Sequence, residues 1–363
     1  MAGQKYRIIA ATHLFPTGGK EKADVEALSR EEAIMENAIE VDGLTKQYHD
    51  LTAVDHIGFN VMGGEFFGLL GPNGAGKTTT IRMLTGLTKP TSGTAKIAGH
   101  DCVKETLAIK ERIGVVSEVS NLYNEMSAWD NLMFIGELYG VDRQTRTERA
   151  RQLLEAFQLY ERRRDHVAGY SKGMKRRVRI AAALIHSPEV LFLDEPTSGL
   201  DVQSSRIIRA LLRQLNKDGM TIFLTTHYIE EADQFCGRVA IIKQGKIVAE
   251  GSPGKLKATL KGEDVVEVTF DGDSLGLETV LQADPTVKDV TKQADKYHIH
   301  TSNPSVVIET LVQFASSNGL HIVSMNTGRP SLEDVFIKYT GLDAVQLERM
   351  ELLRSAKRGV QHG

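Results

Sequence analysis

The sequence predicts an α/β protein in which helices cover both faces of a parallel sheet, followed by a smaller α+β domain. Short apolar runs at residues 65–70, 190–193 and 221–225 alternate with helical stretches, as the buried strands of a parallel sheet do. Gly, Pro and Lys cluster at residues 252–262. Beyond that cluster the elements follow the order β-α-β-β-α-β, which is the ferredoxin-like arrangement.

The composition is that of an ordinary packed protein, with 41% apolar and 25% charged residues in 363. The 44 Lys+Arg and 47 Asp+Glu give a formal charge of −3, which argues against a chain that coats nucleic acid or an anionic membrane. No run approaches the ~18 apolar residues needed to cross a bilayer, and no secretory signal is visible. Because Cys102 and Cys236 cannot staple a fold of this size, a reduced, cytoplasmic protein is expected.

These patterns divide the chain into four parts. Residues 1–37 form an N-terminal extension, whose charge-rich stretch is a loosely attached helix or a flexible lead. Residues 38–255 form the larger domain, in which strands and helices alternate. Residues 262–341 form the accessory domain, and residues 342–363 form a polar tail.

The accessory domain has its own elements. A final helix is predicted over residues 331–340, because Ser331-x-x-Asp334 is a capping pattern and Gly341 stops the helix. Strands are predicted at residues 265–270, 287–293, 297–301 and 320–326, and two earlier helices at 275–283 and 304–317.

The strongest motif is Gly-Pro-Asn-Gly-Ala-Gly-Lys-Thr at residues 71–78, which fits G-x-x-x-x-G-K-[ST] between a strand and a helix. Its glycines let backbone N–H groups approach phosphate oxygens, and the following helix directs its positive end at the anion. Lys77 can neutralise the β- and γ-phosphates, and the Thr78 hydroxyl suits Mg²⁺. A glycine-rich structural turn is the alternative. The expected ATP-binding residues here are Gly71, Pro72, Asn73, Gly74, Ala75, Gly76, Lys77, Thr78 and Thr79.

Two acidic residues, Asp194 and Glu195, directly follow the apolar run at 190–193. A buried strand delivers such residues to the edge of an open sheet where ligands bind. Asp194 can hold the Mg²⁺ shell, and Glu195 is placed to polarise a water for attack on the γ-phosphate. Alone, the pair could also begin an ordinary loop.

Four further motifs resemble those of ABC-type ATPases, in the order and spacing of that family. Tyr-Ser-Lys-Gly-Met at 170–174 resembles the signature sequence, and Ser-Gly-Leu-Asp at 198–201 resembles the D-loop. His227 resembles the catalytic switch histidine, and Tyr48 resembles the aromatic residue that stacks on adenine. The resemblance implies that residues 38–255 form a P-loop ABC ATPase domain, which includes a helical subdomain and binds ATP and Mg²⁺.

The resemblance also implies a second nucleotide-binding subunit. In this family the signature contacts the ATP held by the opposite subunit, and this chain has one phosphate loop and one signature. A head-to-tail homodimer with two sandwiched ATP molecules is therefore expected. Within it, the partner's ATP would be contacted by Ser171, Lys172, Gly173 and Asp201.

Two motifs depart from the family pattern, the signature and the Q-loop. Lys172 and Met174 stand where the signature usually has glycine and glutamine. Lys172 either contacts the γ-phosphate or lies in solvent. Glu118 stands where a Q-loop glutamine is usual; it is either a catalytic-site carboxylate that ligates Mg²⁺ or, after a shift of register, a plain loop residue.

Residues 329–341 (RPSLEDVFIKYTG) are similar to the ending of ATP-binding subunits of ABC-2-type exporters, the antibiotic and multidrug resistance group. This implies an ATPase that drives export through a separate multispanning permease, on the cytoplasmic face of the membrane. The surface that receives the permease is expected within residues 121–139. There Tyr123, Met126 and Trp129 are either contact points or ordinary packing residues.

The alternative is a soluble ABC ATPase that acts on a protein or nucleic-acid complex. Ribosome-acting members usually carry two ATPase halves, and chromosome-associated members carry long coiled coils, whereas Lys77 and Ser171 lie only 94 residues apart here. The basic stretches 162–164 and 172–179 are read as charged helix faces. No nucleic-acid partner is therefore expected.

Overall fold

The computed structural model describes residues 37–117, 122–260, 264–293 and 295–341. Residues 1–36 of the N-terminal extension, the polar tail and Glu118 lie outside these ranges. The chain separates into two compact units, which meet in the sequence at Glu250 and Gly251.

The secondary structure of the first unit alternates strands and helices. Its strands are β1 (Asn37–Tyr48), β2 (Leu51–Met62), β3 (Phe66–Leu70), β4 (Ser92–Ile97), β5 (His100–Asp101), β6 (Ile113–Val116), β7 (Val190–Asp194), β8 (Thr221–Thr226), β9 (Arg238–Lys243) and β10 (Lys246–Gly251). Its helices are α1 (Lys77–Leu84), α2 (Thr106–Arg112), α3 (Ala128–Leu138), α4 (Arg143–Ala156), α5 (Lys172–Leu184), α6 (Val202–Lys217) and α7 (Ile229–Phe235).

A six-stranded sheet forms the centre of the first unit, in the order β10-β9-β3-β8-β7-β6. β3 pairs in parallel with β8 and β9, and β7 pairs in parallel with β6 and β8. Every residue of β3, β7 and β8 is buried, because helices and a second sheet cover both faces. The predicted parallel sheet is confirmed, and a tight turn at Gln244 and Gly245, both with positive φ, joins β9 to β10.

A second, antiparallel sheet in the order β2-β1-β4-β5 packs on the first. The sequence analysis did not predict it, since β1 is broken by irregular register around Gly43, which obscures its apolar alternation. Stacked rings join the two sheets: the centroid of Phe59 on β2 lies 5.3 Å from that of Phe67 on β3 and 5.8 Å from that of Phe223 on β8. These aromatic rings sit in the main core of the unit.

The helical subdomain consists of α3, α4 and α5, and each begins at a capping side chain. Ser127, Asp142 and Ser171 accept hydrogen bonds from the backbone N–H groups of the respective first turns. The fully buried Asn131 ties the loop before α3 to that helix, since its amide donates to the carbonyls of Tyr123 and Ser127.

The second unit has the predicted ferredoxin-like order. Its strands are β11 (Asp264–Phe270), β12 (Val287–Gln293), β13 (Lys296–Thr301) and β14 (Ile322–Gly328), and its helices are α8 (Pro253–Lys257), α9 (Leu277–Gln282), α10 (Pro304–Asn318) and α11 (Leu332–Thr340). The sheet order is β12-β13-β11-β14, and all pairs are antiparallel. α9 and α10 cover one face in a separate core.

The final helix of the second unit begins at the predicted capping box. Ser331 and Asp334 exchange hydrogen bonds at its start, and Gly341 ends it with a φ of +69°. The short helix α8 also belongs to this unit, which begins at Gly251.

The separate cores lead to a prediction about truncation. We expect a chain ending after Glu250 to fold and bind ATP, because the main core of the first unit lies between Ile39 and Ile242. Thermal unfolding and calorimetric titration with ATP test this. As a control, a chain ending after Phe235 lacks β9 and β10, and we expect it not to fold. If the chain ending at Glu250 is insoluble or does not bind ATP, the second unit is needed to complete the ATPase core.

Candidate functional site

Three segments that are distant in sequence meet at one edge of the six-stranded sheet. β3, β7 and β8 are parallel neighbours, so their carboxyl ends point the same way. The phosphate loop follows β3, Asp194 ends β7 with Glu195 next to it, and His227 follows β8. Sheet topology thus collects the predicted loop, acidic pair and histidine in one place.

Two glycines of the phosphate loop have no room for a side chain. A Cβ on Gly71 would lie 2.4 Å from the carbonyl oxygen of Ile242, and one on Gly76 would lie 2.6 Å from that of Ala53. Gly76 also has a φ of +114°, a conformation that other residues rarely adopt. The close approach of neighbouring backbone therefore requires glycine at both positions, whether or not a ligand is bound.

Lys77 begins α1 and is 5% exposed. Its Nζ donates to the carbonyl oxygens of Gly71 at 2.6 Å and Pro72 at 3.3 Å. It also forms an ion pair with Glu195, with 3.3 Å between Nζ and Oε1. The ammonium group is therefore held inside the curve of the loop, and a counter-charge offsets its burial.

Asp194 is 3% exposed at the end of β7, and each of its carboxylate oxygens accepts a hydrogen bond from a threonine. Thr78 Oγ1 donates to Oδ2 at 2.9 Å, and Thr225 Oγ1 donates to Oδ1 at 2.5 Å. Burial raises the pKa of Asp194, although the two hydroxyl donors act in the opposite direction. Asp194 and Thr78 offer two adjacent oxygen ligands of the kind that Mg²⁺ prefers.

Glu195 contacts two basic groups. Its Oε2 lies 2.9 Å from Nδ1 of the buried His227, and its Oε1 faces Lys77. Burial alone would raise the pKa of Glu195, but the hydrogen bond with His227 and the charge of Lys77 outweigh burial and lower it. Its φ of +48° is unusual for a glutamate, and its N–H donates to the carbonyl of Thr225 at 3.0 Å.

The signature and D-loop residues form a second group, built on the starts of α5 and α6. Ser171 Oγ accepts from the N–H of Met174 at 3.2 Å, and Asp201 caps α6 by accepting from the N–H of Ser204 at 2.7 Å. A Cβ on Gly173 would lie 2.0 Å from Ser204 Oγ, so the two helix starts touch only because residue 173 is glycine. Lys172 is exposed beside this contact.

Tyr48 is the last residue of β1. Its ring is exposed, and the ammonium of Lys46 lies 5.0 Å from the ring centre. Glu118 falls outside the described residues, so its predicted position near the γ-phosphate stays a prediction.

One residue of the first group escaped the sequence analysis. Thr225 was assigned only to an apolar strand, yet it contacts both acidic residues. Two threonines in succession at the end of an apolar strand, directly before His227, were a signal that could have drawn attention to it.

Comparisons with known proteins identify the family. A model described as "ABC transporter" matches residues 54–198, and one described as "ATP-binding protein DrrA1-3-like, C-terminal domain" matches residues 251–340. The linearmycin resistance ATP-binding protein LnrL of Bacillus subtilis (strain 168) is 38% identical over 305 residues, which cover 84% of this chain and 98% of that protein. The chain belongs to the ABC transporter ATP-binding proteins.

Other matches agree with that assignment. Nod factor export ATP-binding protein I of Paraburkholderia xenovorans (strain LB400) is 39% identical over 307 residues, covering 84% of this chain and 98% of that protein. A dimeric, post-hydrolysis ATP-binding cassette bound to ADP and Pi is 30% identical with a TM-score of 0.54, over 59% of this chain and 98% of that one. The predicted family and fold are confirmed, and the ABC ATPase is an ATP-hydrolysing enzyme.

The close packing at Gly71 gives a prediction about the loop. We expect Gly71→Ala to lower the unfolding temperature and to remove most ATP affinity, because overpacking against backbone typically costs about 1–3 kcal/mol and shifts the loop. Gly58→Ala is the control, since a Cβ there lies 3.5 Å from the carbonyl oxygen of Val41, an ordinary contact. Melting curves and ATP titrations of both variants test this prediction. Equal unfolding temperatures and equal ATP affinities in Gly71→Ala and Gly58→Ala would contradict the packing argument.

Proposed function

We propose that this ABC ATPase powers substrate export through a separate ABC-2-type membrane permease. The observation that carries the proposal is that two family models match the chain, the ABC transporter model in the ATPase domain and the DrrA1-3-like model in the C-terminal domain. The two relatives described above are named for drug resistance and for Nod factor export. Their names favour export over the soluble alternative. The two names refer to different compounds, linearmycin and Nod factor, so we assign no substrate.

In the proposed mechanism, residues 71–79 wrap the phosphates of ATP, and Lys77 supplies the positive charge at the β- and γ-phosphates. Tyr48 stacks on the adenine. The residues for Mg²⁺ are Thr78 and Asp194, whose oxygens already lie 2.9 Å apart, with Glu118 as a further predicted ligand. When bound, the metal ion neutralises negative charge on the phosphate oxygens.

Glu195 is the proposed general base. Its lowered pKa keeps the carboxylate ionised, and it can therefore accept the proton of an attacking water. His227, which follows β8, contacts Oε2 of Glu195 through its Nδ1. Lys77 now shares its charge between the loop carbonyls and Oε1 of Glu195. A γ-phosphate that attracts Lys77 would leave Glu195 free to turn toward water.

A second copy of the chain completes each site in this proposal. Ser171, Lys172, Gly173 and Asp201 would meet the ATP of the opposite subunit, since capped helix starts present N–H groups to anions. The starts of the signature helix and of the D-loop helix lie against each other at Gly173 and Ser204. In this proposal, ATP bound to one subunit therefore contacts both helices of its partner.

The proposed permease-docking patch is Tyr123, Phe134 and Leu138 of the helical subdomain. The rings of Tyr123 and Phe134 meet edge to face at 5.2 Å, and Leu138 lies one turn along α3 from Phe134. Tyr123 is 52% and Leu138 67% exposed, whereas the other two sequence candidates, Met126 and Trp129, are half-buried.

Export places the ATPase on the cytoplasmic face of the membrane, attached through the permease. Within the described ranges, none of the helices is long and apolar enough to cross a membrane.

The base assignment gives a prediction for Glu195→Gln. We expect normal binding of ATP·Mg²⁺ and turnover reduced by roughly 10²-fold or more, because the substitution removes the proton acceptor. Uncleaved ATP should hold two subunits together, seen as an ATP-dependent dimer on gel filtration that ADP does not induce. Glu155→Gln, on the exposed surface of α4, is the control and should hydrolyse ATP normally. Near-normal turnover in Glu195→Gln would remove Glu195 from this role and point to Glu118.

The export proposal is tested by capture of a partner. Affinity purification of the tagged chain from detergent-solubilised membranes of its own host should recover a multispanning permease, identified by mass spectrometry. Charges placed in the patch by a Tyr123→Glu, Leu138→Glu double variant should abolish recovery while ATP titration stays unchanged. Leu107→Glu, at a 79% exposed leucine on α2, is the matched control. Export is contradicted if wild type captures no membrane protein, and the patch is contradicted if the double variant captures it equally well.

A further inference from the structure

Thr225 is a fully buried threonine at the edge of the ATP site, and nothing in its sequence motif assigns it a role. It lies on β8 directly opposite Asp194 of β7 in the parallel ladder. Neighbouring residues in register carry their side chains on the same face of a sheet. The hydroxyl of Thr225 is therefore delivered to the carboxylate by the sheet itself.

Thr225 touches both acidic residues of the site. Its Oγ1 donates to Oδ1 of Asp194 at 2.5 Å, much closer than the 3.5 Å to the carbonyl oxygen of Leu193. Its own carbonyl accepts the N–H of Glu195 at 3.0 Å, where the backbone takes the unusual positive φ. One residue thus fixes the side chain of the first carboxylate and the backbone of the second.

The two hydroxyls that donate to Asp194 lie on different structural elements. Thr78, which donates to Oδ2, lies on α1 beside the phosphate loop, the part of the site that must accommodate a nucleotide. Thr225, which donates to Oδ1, lies on a buried central strand. Of the two hydrogen bonds, the one from Thr225 is therefore anchored in the buried core of the sheet.

We propose that Thr225 is a positioning residue for the metal-binding carboxylate. Its hydroxyl fixes the rotation of the Asp194 carboxylate, so that Oδ2 faces Thr78, the other residue that would hold Mg²⁺. This inference rests on the proposed function, in which Asp194 and Thr78 hold Mg²⁺. Groups that orient metal ligands typically contribute about 10- to 100-fold in metal affinity.

The test compares metal binding in the full chain with Mn²⁺ and the non-hydrolysable analogue AMP-PNP as probes. Thr225→Val keeps the shape but removes the hydroxyl, and Thr225→Ser keeps the hydroxyl. Electron paramagnetic resonance measures Mn²⁺ bound to the AMP-PNP complex, independently of turnover. AMP-PNP affinity in the presence of a chelator reports on the metal-free loop.

We expect Thr225→Val to bind Mn²⁺ about 10-fold or more weakly, with unchanged AMP-PNP affinity in chelator, and Thr225→Ser to restore most of the metal affinity. Thr85→Val is the matched control: the Thr85 hydroxyl is also buried, and it donates to the carbonyl of Ile81 at 2.8 Å, within its own helix end. Its Mn²⁺ affinity should equal that of wild type.

The outcomes separate this inference from the proposed function. Wild-type Mn²⁺ affinity in folded Thr225→Val, or an equal loss in Thr85→Val, overturns the role of Thr225. If Thr225→Val does not fold, Thr225→Ala and Thr225→Ser replace it, and equal Mn²⁺ affinity in those two overturns the role. Undiminished Mn²⁺ binding by Asp194→Asn would instead show that the metal-site assignment in the proposed function is at fault.

Discussion

The parallel alignment of β3, β7 and β8 is the constraint on which the rest of this ATPase depends. Only in a parallel sheet do these strands end at the same edge, so that Gly71, Asp194 and His227 become neighbours. Reversing any one of the strands would carry its motif to the opposite edge. The burial of all three strands makes this alignment a property of the core as well as of the site.

The alignment also brings the buried charged groups of the site next to one another, which offsets the free-energy cost of burying them. An isolated ammonium or carboxylate in such a place is costly, but here each charged group meets a partner. Lys77 faces Glu195, Glu195 faces His227, and Asp194 is held by two hydroxyls. Because these contacts are shared, any ligand that draws Lys77 toward itself changes the surroundings of Glu195. In the proposed mechanism, ATP binding and hydrolysis are therefore coupled through the direct contact between Lys77 and Glu195.

The signature and D-loop residues, the second group of the candidate site, are positioned by helix caps. Ser171 and Asp201 act as helix caps, and Gly173 permits the two capped helices to touch at Ser204. Such caps stabilise a helix and at the same time orient its free N–H groups. The structural and the proposed binding roles of these residues are thus served by the same local geometry, which is why short motifs suffice to specify it.

The sequence by itself determined the parallel sheet, the ferredoxin-like order of the second unit, and the positions of the phosphate loop, the acidic pair and the signature. These features are encoded locally, by glycine spacing, short apolar runs and capping residues. Tertiary structure alone decided what depends on contacts between distant segments. The antiparallel sheet of β1, β2, β4 and β5 needs pairings that irregular register conceals. The place of Thr225 beside Asp194 depends on the register of two strands, which no single stretch of sequence contains.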